Sequence, residues 1–202
     1  MSIKGEGQRA KGKRLKANKK NSEQQTPDFK LIFVTGGARS GKSNYALKLA
    51  NSIKGEKLYI ATAEVLDEEM EERIKKHKKE RGNNWTTIEE PIKIADVIKK
   101  NKKYDVILLD CLTLWISNLM HKEARGKGQG ARGKKNIETL MNTCANSKTN
   151  IIIVSNEVGM GIVPDNPLAR QFRDIAGFAN QKIADAADEV YFMVSGIPMR
   201  MK

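Results

Sequence analysis

Short apolar runs alternate with amphipathic segments along most of the chain. A continuous apolar run bounded by turn residues predicts a strand whose two faces are both buried. The predicted strands are residues 30–35, 57–61, 85–88, 105–110, 150–155 and 189–195. Between them, apolar residues recur three and four positions apart, which predicts helices. The predicted helices begin near residue 43 and then span residues 67–81, 92–101, 112–121, 136–147 and 168–187.

Strands that alternate with helices indicate the fold class. This order is typical of an α/β protein with a mostly parallel sheet and helices on both faces. The 202 residues contain no internal repeat, and the length suits one domain. We therefore expect a single domain over residues 29–202.

Two polar segments fall outside this pattern. Residues 1–28 contain eight Lys or Arg, three acidic residues and almost nothing to bury, which predicts a disordered basic tail. Residues 121–136 contain six Lys or Arg, one acidic residue and several Gly, which predicts a basic loop inserted into the domain. The two segments carry ten of the thirteen net positive charges, so the remaining chain has an ordinary charge balance.

Several classes of protein are excluded by the composition. No apolar run approaches the roughly 18 residues that a membrane-spanning helix needs. The N-terminus lacks the apolar core of a secretory signal. Two cysteines, Cys111 and Cys144, make no disulfide framework. We therefore expect a cytoplasmic protein without a membrane span.

The strongest chemical signal follows the first predicted strand. Residues 36–43 match the pattern of a phosphate loop in full, with a strand before them and a helix after them. Backbone N–H groups of such a loop surround the phosphates, Lys42 reaches the β- and γ-phosphates, and Ser43 binds Mg²⁺. The expected nucleotide-binding residues here are Gly36, Gly37, Ala38, Arg39, Ser40, Gly41, Lys42 and Ser43. The motif makes the α/β domain a P-loop NTPase fold.

Two carboxylates follow later apolar strands. Asp110 ends the run 106–110, which is typical of a Walker B strand, so we expect it to hold Mg²⁺ at the carboxyl edge of the sheet. A cap on the following helix is the alternative, and the two roles are compatible. Glu157 lies beyond the strand 150–155. It is either a general base that orients an attacking hydroxyl or a carboxylate that stabilises its own loop, and the pattern favours neither.

His77 lies on the predicted helix 67–81, where Arg73 and Arg81 share its face. Two neighbouring arginines disfavour protonation of an imidazole and can hold a phosphate against it, which leaves a nucleophilic ring nitrogen. Spacing alone nevertheless favours a solvated surface histidine in this Lys-rich helix.

Taken together, these residues resemble the bifunctional adenosylcobinamide kinase/adenosylcobinamide-phosphate guanylyltransferases of cobalamin biosynthesis. The resemblance extends from about residue 31 to residue 202, apart from the segment 121–136. It rests on blocks at residues 35–43, 59–63, 67–91, 110–119 and 155–181. The most specific block is Ser-Asn-Glu-Val-Gly-Met-Gly-Ile-Val-Pro at residues 155–164.

The resemblance implies two reactions. In the first, the γ-phosphoryl group of ATP or GTP goes to the aminopropanol hydroxyl of adenosylcobinamide. In the second, a histidine attacks the α-phosphorus of GTP, and the corrinoid phosphate takes GMP from this histidine to give adenosylcobinamide-GDP. His77 matches the guanylylated position, and this overrides the expectation from spacing.

The resemblance also implies the other site residues and the partners. The catalytic residues would be His77, Lys42 and Glu157, and the metal ligands Ser43 and Asp110. Further nucleotide-binding positions are Thr62, Ala63, Lys78, Arg81, Glu89 and Asp110. The implied cofactor is Mg²⁺, with GTP, ATP and the corrinoid as substrates. The family forms homo-oligomers, often trimers, so a homo-oligomer is expected.

Two rival functions follow from the residues alone. A monofunctional P-loop kinase of a small metabolite would carry no covalent nucleotide on His77. A nucleic-acid-dependent ATPase would use the net charge of +13 to bind the phosphate backbone of the nucleic acid. Most of that charge lies outside every motif, so nucleic acid is not an expected partner.

Overall fold

The computed structural model describes residues 29–64, 68, 72, 78, 81, 84–125 and 131–202. Within these residues one sheet contains β1 (Leu31–Gly36), β2 (Lys57–Ala61), β3 (Trp85–Glu89), β4 (Val106–Asp110), β5 (Asn150–Val154), β6 (Glu189–Val194) and β7 (Ile197–Arg200). The helices are α1 (Lys42–Ser52), α2 (Ile94–Lys100), α3 (Leu112–Arg125), α4 (Ala131–Ala145) and α5 (Pro167–Ala186). The tail and most of the predicted helix 67–81, including Arg73 and His77, lie outside the described residues.

The sheet runs in the order β3-β2-β4-β5-β1-β6-β7. All neighbouring strands are parallel except β6 and β7, which form an antiparallel hairpin. Side chains alternate across the strands, so each face of the sheet has its own core. Helix α1 packs on one face through Ala46 and Ala50, and the other four helices pack on the opposite face around Trp115. The predicted α/β fold with helices on both faces is confirmed.

Two parts of the chain depart from the prediction. The prediction of a basic loop over 121–136 is wrong for the residues that the structure describes, because α3 continues to Arg125 and α4 begins at Ala131. Lys and Arg favour helices, and the interior of α4 buries Ile137 and Leu140, so a high charge did not prevent helix formation. The strand β7 was not predicted, because its four residues are all exposed and include Pro198.

Both cysteines are buried, and they form no disulfide with each other. Burial raises the pKa of the Cys144 thiol to about 12, so this thiol stays protonated at physiological pH. In the part of the chain that the structure describes, no helix is long and apolar enough to cross a membrane.

The register of the parallel strands determines where the functional residues meet. One row across the carboxyl edge contains Glu89, Ala61, Asp110, Val154 and Val34, on neighbouring strands in that order. Loops that leave this edge therefore carry the candidate site, as open α/β sheets predict.

Candidate active site

The phosphate loop, residues 36–43, connects β1 to α1. Arg39 has a φ of 57° and Gly41 a φ of 91°, so the backbone passes through the left-handed region at both positions. Lys42 is buried, and its Nζ donates a hydrogen bond to the Gly37 carbonyl oxygen at 2.6 Å. The loop therefore has the turn geometry of a phosphate-binding loop, and the Lys42 ammonium is hydrogen-bonded to the loop backbone.

The β6–β7 turn supports this loop from the side. The Gly196 N–H donates to the Ser40 carbonyl oxygen at 3.0 Å. A Cβ on Gly41 would lie 3.2 Å from the Gly196 Cα, so the two backbones are in close contact. Ser195 and Gly196 both have positive φ, as a two-residue hairpin turn requires. Sequence reasoning missed this contact, although Ser-Gly between two apolar runs is a hairpin signal.

Two hydroxyls at the loop are buried without a hydrogen-bond partner. These are Thr35 Oγ1 and Ser40 Oγ. The Ser40 Oγ lies only 3.1 Å from the position that a Cβ on Gly36 would take, so it is inside the loop. Buried polar atoms are nearly always paired, and a phosphate oxygen in the loop would supply an acceptor for Ser40.

Asp110 ends β4 as predicted and is half-buried. Its Oδ2 accepts a hydrogen bond from the Tyr59 hydroxyl at 2.9 Å. Strand β5 lies between β4 and β1, so Asp110 and Val34 are two strand spacings apart, about 10 Å. The Asp110 carboxylate therefore lies two strands away from β1, the strand that leads into the phosphate loop.

The residues present fit Mg²⁺ through their chemistry. Ser43 and Asp110 offer a hydroxyl and a carboxylate, which are hard oxygen ligands. Among the described residues, no group of three or more His, Cys, Asp or Glu side chains could hold a metal ion by itself. This is the donor set expected where Mg²⁺ takes one or two protein ligands and completes its shell with phosphates and water.

Thr62 joins the ends of β2 and β4. Its Oγ1 donates to the Cys111 carbonyl oxygen at 2.7 Å and accepts from the Cys111 N–H at 2.9 Å. Asn118 Nδ2 donates to the Thr62 carbonyl oxygen at 2.8 Å. The fully buried Thr62 side chain therefore fixes the backbone, and a nucleotide contact at Thr62 or at the half-buried Ala63 stays a prediction.

Three predicted nucleotide-site residues lie at the β3 end of the sheet. Lys78 Nζ and Glu89 Oε1 form an exposed ion pair at 2.5 Å. Arg81 is only 8% exposed, and its guanidinium carbon lies 3.7 Å from the centre of the Tyr59 ring. Tyr59 thus contacts both Arg81 and Asp110. Sequence reasoning did not single out Tyr59.

Glu157 lies beside the phosphate loop, because its N–H donates to the Gly36 carbonyl oxygen at 2.9 Å. Its Oε1 accepts from the Gly159 N–H at 2.7 Å, which stabilises the loop that Glu157 begins. This is the second of the two roles considered for Glu157. The role of general base stays a prediction.

Polar side chains support that loop from below. Ser155 Oγ donates to Asn180 Oδ1 at 2.7 Å, and Asn180 Nδ2 donates to the Asn156 carbonyl oxygen at 3.2 Å. Asn156 Nδ2 in turn donates to Thr113 Oγ1 at 3.0 Å. The network ties β5 to α5 and α3, so the most specific sequence block has a structural basis at its first two residues.

Comparison with known families decides between the predicted functions. The family described as cobinamide kinase / cobinamide phosphate guanyltransferase matches residues 32–201. The chain belongs to this family. Its membership confirms the resemblance and the enzyme class, a kinase and guanyltransferase. The bounds of the match enclose the segment 121–136.

Curated relatives agree with the family. The bifunctional adenosylcobalamin biosynthesis protein CobU of Escherichia coli is 41% identical over 181 residues, which cover 85% of this chain and 99% of that protein. CobU of Salmonella typhimurium is 42% identical, again over 85% of this chain and 99% of that protein. CobP of Pseudomonas aeruginosa is 39% identical over 84% of this chain and 96% of that protein. All three are named bifunctional, which does not favour the monofunctional kinase.

Solved structures support the fold alone. A type III secretion system ATPase of pathogenic bacteria has a TM-score of 0.53 at 11% identity, covering 81% of this chain and 50% of that one. The secretion ATPase EscN of enteropathogenic E. coli has a TM-score of 0.52 at 10% identity, covering 83% and 43%. These ATPases share the predicted nucleotide-binding fold.

Proposed function

We propose that this chain phosphorylates adenosylcobinamide with ATP or GTP and then transfers GMP from GTP to the phosphorylated product through a GMP-histidine at His77. The observation that carries the proposal is a complete phosphate loop in a chain that matches nearly the full length of bifunctional relatives. The loop accounts for triphosphate binding in both steps, and the family accounts for the corrinoid substrate.

In the kinase step the loop holds the triphosphate and the corrinoid hydroxyl is the nucleophile. The hydroxyl oxygen forms a bond to the γ-phosphorus, the bond from the γ-phosphorus to the bridging oxygen breaks, and ADP or GDP leaves. Loop N–H groups and Lys42 stabilise the charge on the phosphate oxygens during this transfer. Ser43 and Asp110 would hold Mg²⁺, which supplies further positive charge to the phosphates. Glu157, next to Gly36, is the candidate acceptor for the hydroxyl proton.

In the guanylyl step the nucleophile is an imidazole nitrogen of His77. A bond forms between this nitrogen and the α-phosphorus, the bond from the α-phosphorus to the bridging oxygen breaks, and pyrophosphate leaves. A phosphate oxygen of the corrinoid then attacks the same phosphorus and releases the histidine. The positive charge of Arg81 stabilises the negative phosphate oxygens.

The corrinoid is proposed to bind against the loop after β5. Met160, Ile162 and Val163 are largely exposed there, and Leu168 follows at the start of α5. The loop begins at Glu157, whose N–H is bonded to the phosphate loop, so this apolar surface borders the triphosphate site. A corrin macrocycle is large and has apolar faces, so apolar contact at this place would bring its side-chain hydroxyl towards the γ-phosphate.

The remaining proposals concern the cofactor and the cell. We propose Mg²⁺ as the metal, a cytoplasmic location and a homo-oligomer, with the trimer as the form that the family resemblance implies. Light scattering of the purified full-length chain measures the oligomeric state directly. Loss of both reactions with a chelator, and recovery with Mg²⁺, tests the metal.

The proposal is tested with GTP labelled at the α-phosphorus. The wild-type chain should retain label after gel filtration, and the label should be acid-labile and base-stable, as a phosphoramidate is. His77→Ala should retain none. His121, the second of two histidines, is exposed on α3, so His121→Ala is the matched control and should label like the wild type.

Two outcomes would contradict the proposal. Wild-type stoichiometry of label on His77→Ala would show that another residue is the acceptor. Phosphorylation of adenosylcobinamide by a wild-type chain that never becomes labelled would support the monofunctional kinase instead.

A further inference from the structure

Tyr59 contacts two predicted site residues that lie on different parts of the chain. Its hydroxyl is 2.9 Å from Asp110 Oδ2 at the end of β4. The centre of its ring lies 3.7 Å from the guanidinium carbon of Arg81, and the ring forms an edge-to-face pair with Trp85 with the centroids 6.2 Å apart. Tyr59 is buried in the middle of β2, so strand pairing on both sides fixes its backbone.

The hydroxyl of Tyr59 is a donor to a carboxylate. The hydroxyl lies 2.9 Å from Asp110 Oδ2, and because a carboxylate oxygen only accepts, the phenol is the donor of this hydrogen bond. A protonated phenol bonded to Oδ2 fixes the orientation of the Asp110 carboxylate and leaves its other oxygen for a further ligand. Groups that orient a metal ligand in this way raise its effectiveness at the metal.

The ring of Tyr59 positions the guanidinium of Arg81. A guanidinium over an aromatic ring is attracted by the partial negative charge of the ring face, and the attraction is stronger when both groups are buried. Arg81 and Tyr59 are both buried. The contact therefore fixes the position of a residue that follows His77 by four positions and shares its predicted helix face.

We infer that Tyr59 is a positioning residue for both reactions: its hydroxyl orients Asp110 towards the metal, and its ring holds Arg81 against the site. The inference rests on the proposed function. In this role Tyr59 acts through the two residues that it contacts, Asp110 and Arg81. Substitutions can separate the two contacts, because phenylalanine keeps the ring and lacks the hydroxyl, whereas leucine lacks both.

The first arm of the test measures metal binding without turnover. Full-length wild type, Tyr59→Phe and Tyr104→Phe are titrated with Mn²⁺ in the presence of a GTP analogue whose α- and β-phosphorus are joined by a methylene group, so that His77 cannot be labelled. Free Mn²⁺ is followed by electron paramagnetic resonance. Tyr104 is equally buried but precedes β4 at the opposite edge of the sheet, which makes it the matched control. We expect Tyr59→Phe to weaken Mn²⁺ binding by about 10-fold or more, the usual effect of losing a group that orients a metal ligand. Tyr104→Phe should match the wild type.

The second arm measures the KM for GTP in histidine labelling at saturating Mg²⁺, where a weaker metal affinity no longer limits the rate. Tyr59→Phe should have the wild-type KM, whereas Tyr59→Leu should raise it by about 3- to 30-fold, the range of a cation–π contact. In an Arg81→Met background, Tyr59→Leu should add no further increase, because the ring acts through Arg81.

The outcomes separate this inference from the proposed function. Unchanged Mn²⁺ affinity in Tyr59→Phe would refute the role of the hydroxyl. Equal effects of Tyr59→Leu with and without Arg81→Met would refute the role of the ring. A wild-type chain that performs neither reaction would refute the proposed function, and the Mn²⁺ titration would still decide the role of the hydroxyl.

Discussion

Two adjacent glycines in the phosphate loop should respond very differently to the same substitution. Gly36 ends β1 with a φ of 146° and is paired with Met193 of β6. A Cβ on Gly36 would lie 2.5 Å from the Met193 carbonyl oxygen and 3.1 Å from the Met193 nitrogen. Both atoms belong to a strand that is paired on each side, so they cannot move aside. At Gly37 a Cβ would meet no atom within 4 Å.

The structure gives the magnitude of the difference. Forcing a side chain into an occupied, left-handed position costs about 3 kcal/mol, as for overpacking or a strained backbone residue. In a domain of this size each kcal/mol lowers the melting temperature by about 2–4 °C, so Gly36→Ala should melt about 6–12 °C below the wild type. Gly37→Ala should change the free energy of unfolding by less than about 0.5 kcal/mol, as surface substitutions do.

Thermal unfolding of the full-length chain without nucleotide, followed by circular dichroism, measures the difference. Binding of a fluorescent GTP analogue is measured on the same samples, because Gly36→Ala should also move the start of the phosphate loop and weaken nucleotide binding. Equal melting temperatures for Gly36→Ala and Gly37→Ala would refute the reasoning, since they would mean that β6 can yield at Met193.

Three further predictions concern other parts of the molecule. Lys42→Ala should slow both the phosphorylation of adenosylcobinamide and the labelling of His77 by about 100-fold or more in single-turnover assays, because both need the triphosphate held. Deletion of residues 1–28 should leave both rates and the melting temperature nearly unchanged, because that segment has almost nothing to bury. Hydrogen bonds from Lys30 and Tyr191 lower the pKa of Glu189, so its carboxylate stabilises the fold above its unfolded pKa of about 4.3. The stability difference between the wild type and Glu189→Gln, measured by denaturant unfolding, should therefore shrink as pH falls from 6 to 3.

Local patterns predicted the central part of the fold well. Strands β1, β4 and β5 are apolar on both faces, so their runs of apolar residues are unambiguous in the sequence. The edge strand β7 is exposed throughout and has no such run. The ends of α3 and α4 were missed because glycines and charges suggested a loop. In α4, however, Gly133 extends the buried face of Ile137 and Leu140, and Lys134 and Lys135 are exposed on the other face.

At the site, a contiguous motif could be predicted, whereas contacts between residues far apart in sequence could not. The phosphate loop is a contiguous motif and could be predicted in full. The roles of Tyr59 and Gly196 could not, because the contacts join residues far apart in sequence, Tyr59 to Asp110 and Gly196 to Ser40. In the sequence Tyr59 is one apolar position in a strand, and only strand order and register show that its hydroxyl reaches a carboxylate.

The arrangement of the site along the sheet bears on how one domain performs two reactions. Glu89 and Val34 lie in the same row of paired residues, four strand spacings apart, which is about 19 Å. The phosphate loop therefore lies at one end of the candidate site and the Lys78–Glu89 pair at the other, with Asp110 between them. A single GTP held at the loop would have to extend towards Arg81 for labelling, so the loss caused by Lys42→Ala would then be similar in both reactions. If labelling survived in Lys42→Ala while phosphorylation failed, the residues at the β3 end would have to bind a second nucleotide of their own.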